Sequence, residues 1–148
     1  MELRFVEKGS DLEKRVISYA KACSWDGGPG YAEYLEKDLF TDFERAAVAL
    51  EGDEIAGFCN VLKEDCLPNL PYTPYIGFLF VDEKYRGQRL SQRLLTFCED
   101  YLRDCGFQEV YLTTDHDDLY EKYGYVYLES HKAFWGEVEK LYRKDLTK

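Results

Sequence analysis

The sequence predicts an α/β domain in which a mixed sheet carries helices on both faces. Three observations lead there. Short alternating or continuously apolar runs recur along the chain, separated by stretches whose apolar residues return every three or four positions. The 148 residues suit one domain, because domains commonly run about 100–200 residues, and no repeat or linker divides them. Hydrophobic residues make up 45% and charged residues 32% of the chain, a globular rather than a disordered composition.

In chain order, Leu3 and Phe5 alternate with polar neighbours and predict a short strand. Ser10 and Glu13 have capping-box spacing, and the helix they open carries Leu12, Val16, Ile17, Ala20 and Cys23 on one face. It stops near Trp25, where Asp26-Gly27-Gly28-Pro29-Gly30 reads as a loop before a short helix over Tyr31 to Leu39. Ala46 to Leu50 and Ile55 to Leu62 read as strands joined at Glu51-Gly52-Asp53-Glu54. Three prolines make 64–74 a loop. Tyr75 to Val81 is almost continuously apolar, which suits a strand buried on both faces. Leu90 through Cys105 trace the apolar stripe of a long helix that Gly106 ends. Val110 to Thr113 is the next strand, Leu119 to Tyr123 a short helix closed by Gly124, and strands at Tyr125–Leu128 and Leu141–Arg143 finish the order β-α-α-β-β-β-α-β-α-β-β.

The net charge of −10 argues against nucleic acid and anionic membrane as partners, since both require clustered Lys and Arg. No apolar run approaches the ~20 residues of a membrane-spanning helix, and the first residues lack a signal-peptide pattern, so a cytoplasmic domain is expected. The five cysteines have no CxxC or His spacing, which predicts neither a disulfide framework nor a metal site. Cys98 and Cys105, seven apart on the long helix, read as core.

The most informative segment is Val81-Asp82-Glu83-Lys84-Tyr85-Arg86-Gly87-Gln88-Arg89-Leu90-Ser91-Gln92-Arg93. No acidic residue occurs from Lys84 to Cys98, so this strand-to-helix turn is a basic island in an acidic chain. Free amides at a helix start, the helix dipole and a glycine that lets backbone approach closely all favour an anion such as pyrophosphate. The alternative is an ordinary turn with a solvated basic face. Neither a P-loop nor a Rossmann fingerprint is present.

This segment resembles motif A of the GNAT-type N-acetyltransferases, Arg/Gln-x-x-Gly-x-Gly/Ala, with Arg86 in the first place and Arg89 and Ser91 departing from the small residues expected later. Leu119-Tyr120-Glu121-Lys122-Tyr123-Gly124-Tyr125 resembles the same family's LYEKxGF segment, and the element order agrees over nearly the whole chain. The resemblance implies one N-acetyltransferase domain over residues 1–148 with a mostly antiparallel sheet and acetyl-CoA as cosubstrate. By position it implies that main-chain groups of Phe80 and Val81 bind the pantetheine arm, and that amides from Arg86, Gly87, Gln88, Arg89, Leu90 and Ser91 hold the pyrophosphate. The strands at 75–81 and 110–113 would splay around the thioester.

Amine acetylation requires an amine stripped of its proton, a stabilised oxyanion and a proton for the departing thiolate. The resemblance implies Tyr120 as the acid at sulfur. The family glutamate at the start of the strand before motif A is replaced by Tyr75, which leaves His116, Asp115 and Tyr75 as candidate bases; an exposed His116 beside a helix cap is the plain alternative. Trp25, Asp26 and Tyr31 fall where the family builds its acceptor pocket, with Tyr75 at its edge. The acceptor implied is an amine of a small molecule or a protein, and late strands suggest a homodimer. A CoA-binding regulatory module without turnover, or a domain that has lost the cofactor site, are the competing readings.

Overall fold

The computed structural model describes residues 1–67, 69–115 and 119–147. Its seven-stranded sheet is ordered β1-β2-β3-β4-β5-β7-β6, where β1 is Glu2–Phe5, β2 Arg45–Glu51, β3 Glu54–Leu62, β4 Tyr75–Val81, β5 Glu109–Thr114, β6 Val126–Lys132 and β7 Val138–Asp145. Every neighbouring pair is antiparallel except β4 and β5. The helices are α1 (Asp11–Ala22), α2 (Gly28–Glu36) and α3 (Leu90–Asp104). Among the described residues, no helix is long and apolar enough to cross a membrane.

Local chemistry sets the helix ends. The Ser10 hydroxyl accepts the Glu13 amide at 3.1 Å, and the Glu13 carboxylate reaches back to the Gly9 amide at 3.2 Å, so two donors at the start of α1 are satisfied. Pro29 stands in the first turn of α2, where a missing N–H costs nothing. Helix α2 lies close against α1: a side chain on Gly28 would place its Cβ 2.1 Å from the Ala20 carbonyl oxygen.

The β2–β3 hairpin divides two layers by strand alternation. Ala46, Val48, Leu50 and Phe58 pack with Val16, Ala20, Tyr31 and Leu35 of α1 and α2. Ala47, Ala49, Cys59 and Val61 face Leu94, Leu95, Cys98 and Leu102 of α3. Helices thus cover both faces, as the sequence predicts.

Five details differ from the sequence expectation. Helix α2 covers Gly28–Glu36 rather than Tyr31 to Leu39, because Pro29 fits its first turn. Residues 119–123 contain one 3-10 turn, Glu121–Tyr123, which Gly124 still terminates. Strands β6 and β7 run past their predicted bounds of 125–128 and 141–143, because the polar residues of edge strand β6 continue the antiparallel backbone pairing with β7 as far as Lys132 opposite Val138. Cys105 is exposed at the C-cap of α3, whereas Cys98 is buried. Strand β4 is not regular: Phe78 adopts φ +54°, and Phe78 and Leu79 together oppose Cys59 where the register with β3 shifts. That bulge bends β4.

Candidate active site

Strands β4 and β5 meet at a single register pair, Tyr75 with Tyr111, supported by the Tyr111 amide donating to the Pro74 carbonyl at 2.9 Å. Beyond that point they diverge. The edge of β4 after Tyr75 is therefore open to another extended chain on the β5 side. A cavity of about 1030 Å³ is walled by the parted strands, by Gly30, Glu33 and Tyr34 of α2, and by the 63–67 connection. The Phe78 ring projects toward α2, edge-on to Tyr34 at 5.8 Å and to Trp25 at 6.2 Å.

At one end of β4 the chain enters the basic turn. The Asp82 carboxylate accepts the Lys84 amide at 3.0 Å and the Tyr19 hydroxyl at 2.5 Å, and the Tyr19 hydrogen bond is the first cause holding its carboxyl below the usual range. Gly87 and Arg89 both have positive φ, +81° and +61°, so the backbone wraps before α3 begins. Residues 87–92 donate no amide hydrogen to any described group. No acidic residue occupies the first turn of α3, and these amides present an open anion cradle.

The basic side chains divide their work. Lys84 is bound to Glu54 at 2.8 Å. Arg86 donates from Nε to the Val81 carbonyl at 3.0 Å and stacks over Phe80 at 5.7 Å. That bond uses the Val81 carbonyl, one of the main-chain groups expected to meet pantetheine. Arg89 is exposed, so this bulky departure from the motif does not fill the turn. Gln88 is also exposed, while Leu90 points into the core. Ser91 Oγ lies 3.4 Å from the Tyr123 hydroxyl, tying the start of α3 to the turn after Tyr120.

Tyr120 lines the cavity and is 9% exposed. Its ring packs among Tyr123, Tyr125 and Tyr142, and its hydroxyl makes no hydrogen bond among the described residues. Burial pushes its pKa up to about 12, so the phenol keeps its proton throughout the neutral range. Cys66 also faces the cavity, and burial raises its thiol to about 12. A group that remains a thiol is a poor nucleophile, which favours direct transfer over an acetyl-cysteine intermediate.

Of the expected acceptor residues, Trp25 and Asp26 line the cavity. Trp25 stacks on Phe80, with ring planes 3° apart and centroids separated by 5.9 Å. Tyr31 and Tyr75 do not line it. Tyr31 is buried against Phe58 and donates to the Ala47 carbonyl at 3.0 Å, because its position on α2 faces the sheet. Tyr75 lies in a small core with Cys66, Leu67, Tyr111 and Leu141. Burial raises its phenol, which unsuits it as a base at neutral pH. His116 lies outside the described residues, and Asp115 is exposed at the cavity rim.

Asp65 is a cavity residue that no sequence pattern singles out. Its Oδ1 accepts the Cys66 amide at 2.8 Å, and its Oδ2 accepts the Thr113 hydroxyl at 3.2 Å. Burial lifts its carboxyl to about 6. Seven lining residues, Asp26, Glu33, Glu64, Asp65, Asp115, Glu137 and Glu139, carry carboxylates, of which Glu33 is paired with Lys37 at 2.9 Å, and no Lys, Arg or His lines the cavity among the described residues. No cluster able to hold a metal ion occurs among the described residues.

Parted central strands, an open run of amides at the start of α3 and a cavity-lining tyrosine beyond β5 are thus brought to one side of the sheet's gap. Residues 13–125 match the model of the acetyltransferase (GNAT) family, and the chain belongs to that family. By that membership it is an acetyltransferase. Over 101 residues it is 28% identical to N-alpha-acetyltransferase 30 of Schizosaccharomyces pombe (strain 972 / ATCC 24843), covering 64% of this chain and 67% of that protein. In fold it resembles an aminoglycoside 6'-acetyltransferase type Ii, with TM-score 0.76 and 21% identity over 100% of this chain and 99% of the other. It also resembles a GNAT acetyltransferase from Elizabethkingia anophelis with acetyl-CoA bound, with TM-score 0.68 and 16% identity over 97% of each chain.

Proposed function

We propose that the acceptor is a small molecule carrying several amines, one of which is acetylated by direct attack on the thioester. The observation that carries this reading is the cavity lining of seven carboxylates without a cation among the described residues. A monocation needs one counter-charge, whereas Asp26 before α2, Glu64 and Asp65 of the β3–β4 connection and Glu137 before β7 offer charge from several sides. The wall formed by Trp25 and Asp26 suits a cationic group. Aminoglycosides, named for one of the structural relatives, belong to this chemical class. An N-terminal protein amine, suggested by the name of the fission yeast relative, presents a single charge.

In this reading the amides of 87–91 hold the pyrophosphate, with Arg86 closing the turn and Arg89 free to reach the outer phosphates. The β5-facing edge of β4 at Phe80 and Val81 takes the pantetheine arm through main-chain groups other than the Val81 carbonyl, which Arg86 holds. The amine nitrogen attacks the carbonyl carbon, and the oxyanion meets a main-chain N–H near Val81. The C–S bond then breaks, and the Tyr120 hydroxyl supplies the thiolate with a proton. Edge strand β6 exposes Val126, Tyr127 and Leu128, which suits pairing with a second copy; sedimentation velocity measures that.

An amine panel tests the reading. Thiol release from acetyl-CoA is followed with a polyamine, a single-amine analogue of equal length, and a peptide with a free N-terminus. The polyamine is expected to give the highest kcat/KM, declining with added salt as screening weakens the wall. Equal rates for all three would reject the polycation.

A further inference from the structure

Resting on the acetyl-transfer reading above, we propose that Asp65 is the general base, taking the proton of the acceptor ammonium from the β3–β4 connection rather than from β4 itself. Gly77 makes room for it. A Cβ on Gly77 would stand 3.0 Å from Asp65 Oδ2 and meet the carboxyl carbon at 3.4 Å. The carboxylate therefore occupies the space over β4 that a side chain at Gly77 would take, two residues after Tyr75, beyond which β4 and β5 part. Thr113 of β5 holds Oδ2 from the other wall at 3.2 Å, and the Cys66 amide holds Oδ1 at 2.8 Å. These two bonds fix the carboxylate at the gap while leaving acceptor lone pairs unused.

No cation neutralises Asp65 among the described residues. The titratable groups lining the same space are Tyr34 from α2, Glu64 and Cys66 beside it, Asp115 and Tyr120 after β5 and Glu139 from β7, with Tyr75 of β4 packed in the small core next to it. The Asp65 charge helps to raise Tyr34, Tyr75 and Cys66, so these remain protonated and leave the proton-acceptor role to a carboxylate. At neutral pH Asp65 is still largely ionised, yet it is more basic than an ordinary aspartate. The same desolvation favours a neutral amine beside a neutral carboxylic acid over an ammonium–carboxylate pair.

The steps balance. The ammonium N–H bond breaks, its proton goes to Asp65, and the nitrogen lone pair forms the C–N bond. Collapse of the oxyanion expels the thiolate, which takes the Tyr120 proton. The protonated amide gives up its remaining extra proton through solvent, which reprotonates Tyr120, and Asp65 releases its own to water.

The test is a set of pH–rate profiles for wild type, Asp65→Asn and Gly77→Ala with acetyl-CoA and a polyamine, alongside calorimetric acetyl-CoA binding. Wild-type kcat/KM is expected to fall below about pH 6, the value toward which burial lifts Asp65. Asp65→Asn should lose that limb and run about 10²-fold slower at pH 7, recovering as alkali frees the amine, with acetyl-CoA affinity within twofold. Gly77→Ala should lower kcat by displacing the carboxylate. An Asp65→Asn enzyme with wild-type kcat and only a raised KM overturns the proposal, as does persistence of the acid limb. Wild type that binds acetyl-CoA but acetylates no amine removes the acetyl-transfer reading instead, before any variant is made.

Discussion

Replacing Tyr120 with Phe removes one hydroxyl and almost nothing else. The ring keeps its packing against Tyr123, Tyr125 and Tyr142, and the hydroxyl makes no hydrogen bond among the described residues, so no folding interaction is lost. The melting temperature should move by no more than about 2 °C, since about 1 kcal/mol corresponds to roughly 2–4 °C at this size. Turnover should respond differently. A positioned general acid contributes about 10²–10⁴-fold, and a thiolate leaves more readily than an alkoxide, which places the expected loss near the lower bound. We expect kcat to fall about 10²-fold, or ~2.7 kcal/mol in activation free energy. Acetyl-CoA affinity should be unchanged. Because burial raises Tyr120 to about 12, its proton survives in alkali, and wild-type kcat should show no decline from this group below about pH 11. Steady-state kinetics with calorimetric binding reads all three quantities. A variant whose kcat stays within twofold of wild type would refute the acid role.

Asp65 links activity to stability. Its carboxyl sits near 6 when folded against about 3.9 unfolded, so the folded state holds the proton more tightly and stability falls as pH rises from about 4 to 6. At pH 7 the ionised group costs about 3 kcal/mol, and Asp65→Asn should melt roughly 5–10 °C higher while losing turnover; equal melting temperatures at pH 7 would show that the carboxyl is solvated. Gly28→Ala places Cβ 2.1 Å from the Ala20 carbonyl oxygen and must part α1 from α2, so thermal unfolding should report a loss of about 2 kcal/mol or more. Glu99, 2% exposed, accepts Tyr125 at 2.7 Å and Lys144 at 2.9 Å. Lys144→Met strands that carboxylate, with an expected loss of about 3–5 kcal/mol by urea titration, and Glu99→Gln in the same chain should recover part of it.

What the sequence reveals follows from the range of the interactions involved. The cap at Ser10, the stop at Gly106 and the turn through Gly87 are set by neighbours in the chain, and all three appear where the residues predict. The two motifs are local too, and the positive-φ turn at Gly87 and Arg89 falls inside the first of them. The bulge at Phe78 is not: a non-glycine residue at positive φ inside an apolar run leaves no compositional mark, and it is held by Trp25, Tyr31 and Tyr34 from other elements. Tyr31 and Tyr75 lie beside the acceptor region in sequence, yet their side chains face the core because of helix phase and strand alternation. Asp65 resembles any loop aspartate until Gly77 and Thr113, 12 and 48 positions away, are brought against it. The carboxylate wall likewise gathers residues from Asp26 to Glu139.

The central claim is that this cavity acetylates a polycationic amine with acetyl-CoA. Its most direct test measures thiol release and acetylated product together, by chromophore and mass spectrometry, for a polyamine and a single-amine analogue at low and high salt. The account predicts one acetyl group transferred per thiol released, and at least tenfold higher kcat/KM for the polyamine at low salt, with the advantage shrinking as salt rises. Thiol release without an acetylated amine, or equal kcat/KM for both amines at every salt concentration, would contradict it.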